Sequence, residues 1–264
     1  YDRANGGVRG PMNLLILGDG DYSRNKGIAN HEGRNVLVFE SNNSLSPTSS
    51  YVSDDYFVMV SPLEDGNAIG LLDCGVGRIP ASSLDEAYGY LGKIKAYVAE
   101  NTSSNGGASC LGDVQDSPFG NWRNIITFVS DDQDGSGGAY EQVHLNSANS
   151  LANIVSTNHP EYDISKLYMD AFTQISTPGG ERYVDCEKAI QHRIQSGSLL
   201  MTYIGHGGEK GWAHERILDI PTIESFTNKY RLPVFLTATC ELARYDDPEF
   251  KSAGERLVMN ANGG

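Results

Sequence analysis

The segment formed by residues 199–240 constrains the fold of this chain more than any other. It begins with the apolar run 199–204, which stops at a turn of Gly205, His206, Gly207 and Gly208, and it ends with the apolar run 233–240. Both runs are short and rich in β-branched and aromatic residues, which is typical of buried strands. The intervening residues 217–230 leave room for one short helix. This strand–helix–strand pattern predicts two parallel, neighbouring strands.

A histidine and a cysteine follow the two predicted strands. Because the carboxyl ends of parallel strands meet at one edge of a sheet, we expect His206 and Cys240 to lie side by side there. A thiolate attacks a carbonyl carbon, and a nearby imidazole takes up the thiol proton. The N–H groups of Gly207 and Cys240 can form an oxyanion hole. The alternative is that Cys240 is a core residue and His206 an ordinary turn residue.

The residues around this pair also resemble a known family. Residues 203–212 (Tyr-Ile-Gly-His-Gly-Gly-Glu-Lys-Gly-Trp) and 232–240 (Leu-Pro-Val-Phe-Leu-Thr-Ala-Thr-Cys) resemble the gingipain-type (C25) cysteine peptidases of the caspase-like clan, and among them the sortases of the type IX secretion system. The resemblance implies a caspase-like α/β fold, with a mainly parallel sheet and helices on both faces. It implies His206 as the base, Cys240 as the nucleophile and Gly207 as an oxyanion donor.

The same resemblance implies a function. A peptide bond would be cleaved through a thioester acyl-enzyme, which is then resolved by water, as in a peptidase, or by an amine, as in a sortase. The implied substrates are proteins or peptides, in particular exported clients with C-terminal secretion signals. The implied location is extracellular or at the cell surface and outer membrane. This chemistry requires no cofactor.

The loop after the apolar run 124–130 is the most acidic part of the chain, with Asp131, Asp132 and Asp134. Asp132 and Asp134 can hold a structural calcium ion, although the loop lacks the ligand spacing of an EF-hand. A second interpretation is that one carboxylate orients His206, and the resemblance implies Asp131 or Asp132 as this third catalytic member. The third interpretation is a solvated turn with no further role.

Two other residues are candidates for contact with substrate. The resemblance aligns Glu141 with an acid in the specificity pocket of the arginine-specific gingipains, where a carboxylate favours a basic or polar P1 side chain. Glu141 can equally stabilise the positive end of the helix that follows it. Trp212 matches a tryptophan of the family and either packs in the cleft wall or stacks on the substrate.

Composition excludes several classes of partner. The formal net charge of −14 over 264 residues argues against nucleic acid and against anionic membranes, because both require a basic face. The sequence contains no apolar run as long as a membrane span, and its beginning lacks a signal-peptide profile. Because a predicted strand follows Tyr1 within about a dozen residues and the sequence stops soon after Cys240, we expect part of a larger parent protein. Four cysteines are too few for a disulfide scaffold and do not decide the compartment.

The remaining patterns predict two α/β halves. Residues 1–115 form a first half, with its opening strands incomplete, and residues 116–264 form the catalytic half. In the first half, residues 13–20 predict a buried strand and residues 57–60 another. A helix follows Ser82 or Ser83 as its N-cap, with a mainly apolar stripe at helical spacing: Leu84, Tyr88, Leu91, Ile94, Lys95 and Val98. We expect Arg78 to form a structural ion pair with a nearby acid rather than to bind a ligand.

Overall fold

The computed structural model describes residues 13–22, 36–41, 52–59, 70–98, 119–133 and 142–264. Short 3-10 helices lie at Asp55–Val58, Asn121–Asn124 and Met169–Ala171. The strands and α-helices follow one another as β1 (Asn13–Leu17), β2 (Phe39–Glu40), β3 (Val52–Ser53), β4 (Gly75–Ile79), α1 (Leu84–Val98), β5 (Ile125–Ser130), α2 (Gln142–Asn158), β6 (Asp163–Tyr168), β7 (Ile175–Thr177), β8 (Gly180–Arg182), α3 (Val184–Ser196), β9 (Leu200–Ile204), β10 (Gly207–Gly208), β11 (Gly211–Trp212), β12 (Leu218–Asp219), α4 (Ile220–Glu224), β13 (Val234–Ala238) and α5 (Ala253–Met259).

The main sheet is parallel and has the strand order β13-β9-β5-β6. Ile204 of β9 pairs with Ser130 of β5 on one side and with Ala238 of β13 on the other, so the three strands end at the same level. Strand β6 is added to the sheet on one side of β5, whereas β9 and then β13 are added on the other side. This reversal lies between β5 and β9, the kind of position at which open α/β sheets bind their ligands. The predicted parallel pairing of the strands before His206 and Cys240 is confirmed.

Helices cover this sheet on both faces. On one face, Ile126 and Phe128 of β5 pack with Ala152 of α2. On the other, the alternate strand residues, among them Val129 of β5 and Met201 of β9, pack with Ile190 of α3. Side chains alternate between the faces because successive strand residues point in opposite directions. The predicted α/β fold, with helices on both faces of a mainly parallel sheet, is confirmed.

The chain divides into two compact units. One consists of Tyr1–Ala87 and Arg244–Lys251, and the other of Tyr88–Ala243 and Ser252–Gly264. The four-stranded sheet and the residues that follow its strands belong to the second unit. The predicted boundary between residues 115 and 116 falls outside the described residues and stays a prediction. None of the described helices combines the length and the hydrophobicity that a bilayer crossing requires.

The first unit is organised around the side chain of Arg78. Its guanidinium donates to both carboxylate oxygens of Asp54, at 2.8 and 2.7 Å, and to the carbonyl oxygens of Gly18 and Leu37 at 2.9 and 3.1 Å. The guanidinium also lies 4.8 Å from the centre of the Tyr245 ring. Such a paired, stacked arginine holds several segments together at once. The predicted structural role of Arg78 is therefore confirmed.

Two predictions for the first unit are wrong. Strand β1 forms and pairs in parallel with β4, but it is not a buried strand, because Leu15 and Leu17 are 67% and 58% exposed. Residues Asp55–Val58 form a 3-10 helix where a strand was predicted at 57–60. The cause at this second site is local: the Ser53 hydroxyl accepts a hydrogen bond from the N–H of Asp55, which favours a turn over an extended strand.

Helix α1 presents a different face to the protein than its apolar stripe predicts. The Ser83 hydroxyl accepts from the N–H of Glu86 at 3.2 Å, so the predicted start of the helix is confirmed. The stripe is exposed, however, and the buried residues are Lys93 and Ala96. The ammonium of Lys93 donates to the carbonyl oxygens of Leu257, Val258 and Gly263 at 3.2, 3.0 and 2.9 Å. Lys93 therefore caps the carboxyl end of α5, where a cation is favoured.

We predict that Lys93→Met lowers the free energy of unfolding by about 1–3 kcal/mol, because buried carbonyl groups lose their donor. Burial lowers the pKa of Lys93 from 10.5 to about 8. At pH values between these two pKa values, Lys93 is protonated in the unfolded chain and deprotonated in the folded chain. The wild type therefore becomes more stable as the pH rises from about 8 to 10.5. The deficit of the variant is therefore expected to widen from pH 7.5 to 9.5, as measured by denaturant unfolding.

Lys95→Met is the matched control for this experiment, since Lys95 lies on the same helix and is exposed. It is expected to leave both the stability and its pH dependence unchanged. Equal effects of the two substitutions would contradict the capping role of Lys93.

Candidate active site

His206 lies two residues beyond β9, and its main chain is fixed by hydrogen bonds to three residues. Its N–H donates to Oδ2 of Asp131 at 2.7 Å. Its carbonyl oxygen accepts from the Tyr203 hydroxyl at 2.6 Å and from the N–H of Ala213 at 2.9 Å. The imidazole itself is exposed. The loop therefore holds the histidine by its backbone and leaves the ring available for chemistry.

Cys240 lies two residues beyond the end of β13, just as His206 lies two residues beyond the end of β9. The last residues of these two strands, Ala238 and Ile204, pair with each other. The two residues therefore leave the sheet at the same level on neighbouring strands. Cys240 is exposed and not in a disulfide. Glu241, the next residue, has a φ of 53°, a conformation that is uncommon for a residue with a side chain. The chain turns sharply at this point.

Gly207 is enclosed by the residue that precedes the cysteine. A Cβ atom at position 207 would overlap Oγ1 of Thr239 and would lie 3.3 Å from the carbonyl oxygen of Gly211. The absence of a side chain thus lets the loop after His206 approach the segment that carries Cys240. The N–H groups of Gly207 and Cys240 stay the predicted oxyanion donors.

Trp212 lies beneath the loop and is fully buried. Its ring stacks on Tyr203, with centroids 4.4 Å apart and planes 10° from parallel, and it packs edge-on against Phe235. Strand β11, which contains Trp212, pairs antiparallel with β10 directly after His206. In this structure Trp212 therefore packs inside the protein and is not exposed for stacking on a substrate. A contact with substrate would require this loop to open.

The two candidate acids play different parts. Both are buried, and Asp131 accepts a hydrogen bond from the backbone N–H of His206. Oδ2 of Asp132 accepts a hydrogen bond from the Tyr183 hydroxyl at 2.7 Å. Burial raises the pKa of Asp131, while the N–H of His206 and the nearby imidazoles favour its charged form. The assignment of either acid as the third catalytic member stays a prediction.

Asp131 and Asp132 also approach Glu215, which the sequence analysis did not identify. Carboxylate oxygens of these three buried residues lie within 4.8 Å of one another, a separation that a cation could bridge. The predicted calcium ligand Asp134 and the predicted specificity residue Glu141 both lie outside the described residues. The calcium prediction and the Glu141 prediction therefore stay predictions.

Two further histidines surround His206. The ring of His144, on α2, lies 5.0 Å from that of His206 and almost perpendicular to it. The ring of His214 lies 5.7 Å from His206 and nearly parallel. Sequence reasoning missed His214. The available signal for His214 was the glycine-rich segment between it and His206, which allows the chain to turn back on itself.

The described cysteines differ in their environment, and this difference bears on reactivity. Cys186, on α3, is fully buried, and burial raises the pKa of its thiol to about 12. Such a thiol is protonated at neutral pH and is shielded from reagents. Cys74 is half-buried and Cys240 is exposed. An exposed thiol, an exposed imidazole and a glycine N–H at one sheet edge provide the groups needed for acyl transfer.

Comparisons with known proteins give the family and the fold. The family model for peptidase family C25 matches residues 1–264. A crystal structure of the arginine-specific cysteine proteinase gingipain R is similar, with a TM-score of 0.59 and 16% identity over 94% of this chain. A complex of the pro- and mature domains of RgpB from Porphyromonas gingivalis has a TM-score of 0.54 and 16% identity, also over 94%. No curated protein matches the chain significantly.

This chain spans less than half of the two solved structures, 44% of the first and 45% of the second. At these identities the structural similarity supports the gingipain-like fold alone. The family assignment depends on the match over all 264 residues. The chain belongs to peptidase family C25, the gingipain-type cysteine peptidases.

Proposed function

We propose that this chain cleaves peptide bonds by thiol acyl transfer, with Cys240 as the nucleophile and His206 as the base. The observation that carries the proposal is the arrangement of an exposed cysteine and an exposed histidine at matched positions beyond two neighbouring strands. Membership of family C25 supports the same chemistry. The N–H groups of Gly207 and Cys240 serve as the oxyanion donors.

The reaction has two balanced steps. His206 takes the thiol proton, the sulfur of Cys240 bonds to the substrate carbonyl carbon, and the oxyanion accepts hydrogen bonds from the two N–H groups. When the C–N bond breaks, the protonated imidazole gives its proton to the leaving amine, and a thioester remains. Water or an incoming amine then attacks the thioester carbonyl carbon, while His206 takes a proton from it. The C–S bond breaks, the acid or amide is released, and the sulfur receives the proton from His206, so the thiol is restored.

A binding module that keeps the fold without catalysis is the competing proposal, with calcium or a protein partner at the acidic loops. It requires a Cys240 that is buried or remote from His206. The exposure of Cys240 and the pairing of Ile204 with Ala238 favour catalysis instead. The buried carboxylates of Asp131, Asp132 and Glu215 remain compatible with a structural cation in either case.

We predict that a peptidyl thiol-reactive probe labels Cys240 in the wild type. His206→Ala is expected to slow labelling by about 10²-fold or more, because the thiol loses its base. Cys240→Ala is expected to remove the label, and mass spectrometry of the digested protein locates it.

Cys186 is an internal control for this experiment, because its thiol is buried and is expected to react only after denaturation. A label on Cys74 that persists at full rate in Cys240→Ala would contradict the proposal. So would labelling of Cys240 at the same rate with and without His206.

We further predict that Gly207→Ala reduces peptide cleavage by about 10²- to 10³-fold, the usual cost of losing an oxyanion donor. The new methyl group would push against Thr239 and displace the N–H from the site. Gly208→Ala is the matched control, because a Cβ atom there would have no non-neighbouring residue within 4 Å among those that the structure describes. Equal activities of the two variants in a fluorogenic peptide assay would contradict the role of Gly207.

The finer proposal is a sortase-type activity on exported proteins with C-terminal secretion signals, at the cell surface. Its support is the resemblance of residues 203–212 and 232–240 to the secretion sortases. A basic or polar P1 residue selected by Glu141 belongs to the same proposal.

Transfer and hydrolysis can be separated with a peptide substrate and a range of amine concentrations. For a sortase, we predict that the amide product grows with amine concentration at the expense of the free acid, because both arise from one thioester. Formation of the free acid alone, up to saturating amine, would contradict transfer and leave a hydrolase.

A further inference from the structure

We propose that Asp131, His144 and His206 form a binding site for a transition-metal ion of the zinc class. The ion would coordinate the imidazole of His206, which serves as the base. Binding would therefore keep the peptidase inactive until the ion is removed. The inhibitory consequence depends on the proposed function, but the binding site does not.

The geometry of the three side chains supports this proposal. One potential ligand atom from each of Asp131, His144 and His206 lies within 4.8 Å of the other two. The two imidazole rings are 5.0 Å apart between centroids and are 89° from parallel. Zinc takes nitrogen ligands at about 2.0–2.1 Å. Binding would therefore draw the three ligand atoms closer together than their present limit of 4.8 Å.

The donor set selects the class of ion. Two imidazole nitrogens and one carboxylate oxygen suit zinc and its neighbours, whereas calcium and magnesium favour sites made of oxygen atoms. Two histidines and an acid, with a water in the fourth position, form a common tetrahedral zinc site. The same acid, Asp131, also approaches Asp132 and Glu215, but that group contains no imidazole.

The surroundings of the three ligands favour binding as well. Asp131 is buried, and its Oδ2 is held by the N–H of His206, so the carboxylate is already ordered. His206 is exposed, which gives an ion and its water access from solvent. Nδ1 of His144 is buried and has no hydrogen-bond partner in the described part of the chain. Coordination of an ion would give the nitrogens of this ring a defined role.

The alternative mode of zinc binding in a cysteine peptidase uses the thiolate and the catalytic imidazole. The two modes make opposite predictions for single variants. A site at Asp131, His144 and His206 does not need Cys240, while a thiolate site does not need His144. The Cys240→Ala protein is therefore the background in which to test the proposal, since it has no nucleophile and its metal binding is measured without activity.

The test is calorimetric titration of Cys240→Ala with Zn²⁺, alone and combined with His144→Gln or His214→Gln. We expect one Zn²⁺ per chain in Cys240→Ala, and binding weakened by at least about tenfold with His144→Gln, because a ligand is lost. His214→Gln is the matched control, since His214 also stacks beside His206 but is not among the three ligands. It is expected to bind zinc like the parent.

Co²⁺ provides a second readout that does not depend on how well the His144→Gln variant folds. In wild type and in Cys240→Ala its visible spectrum is expected to be the same, without a thiolate-to-cobalt charge-transfer band. Loss of Zn²⁺ binding in Cys240→Ala, or a charge-transfer band in the wild type alone, would overturn the proposal in favour of the thiolate site. Binding that His144→Gln leaves unchanged would overturn it too. Thiol labelling of metal-free protein tests the proposed function separately.

Discussion

The hydrogen bond from the N–H of His206 to Asp131 is the interaction on which the arrangement of this site depends. Asp131 follows β5 and His206 follows β9, so the bond joins the ends of two central strands at the point where the sheet reverses its direction of growth. The Tyr203 hydroxyl holds the carbonyl oxygen of the same residue. Burial opposes the charge on Asp131 and raises its pKa, and the N–H of His206 compensates in part.

This bond is possible because the residues on either side of His206 have no side chains. A Cβ atom at Gly205 would lie 2.5 Å from both Cβ of Asp131 and the Tyr203 hydroxyl. A Cβ atom at Gly207 would overlap Thr239. The first glycine thus lets the loop approach the strand that carries the acid, and the second lets it approach the strand that carries the cysteine. The Gly-His-Gly sequence follows from close packing on two sides.

Fixing the histidine by its backbone leaves the ring free to face more than one partner. Around it lie a second imidazole, His144 on α2, and, beyond the end of the adjoining strand, the exposed Cys240. A base that is reactive toward a thiol proton is also a good metal ligand, because both reactions use the same nitrogen lone pair. Catalysis and metal inhibition would thus compete for one atom.

The sequence by itself determined the strands before His206 and Cys240, their parallel pairing and the position of both residues at one edge. These properties depend on short apolar runs and on the length of the crossover, which are local signals. Tertiary structure decided which helix faces are buried. The apolar stripe of α1 predicts the wrong face, because the carbonyl groups at the end of α5 bind Lys93.

Tertiary structure also decided which side chains meet at the site. The burial of Trp212, the approach of His144 and the grouping of Glu215 with Asp131 all join residues that are far apart in the chain. Periodicity shows which residues share a face of a helix, but not what that face will contact. Contacts over such distances arise only when the whole chain has packed, so no local pattern encodes them.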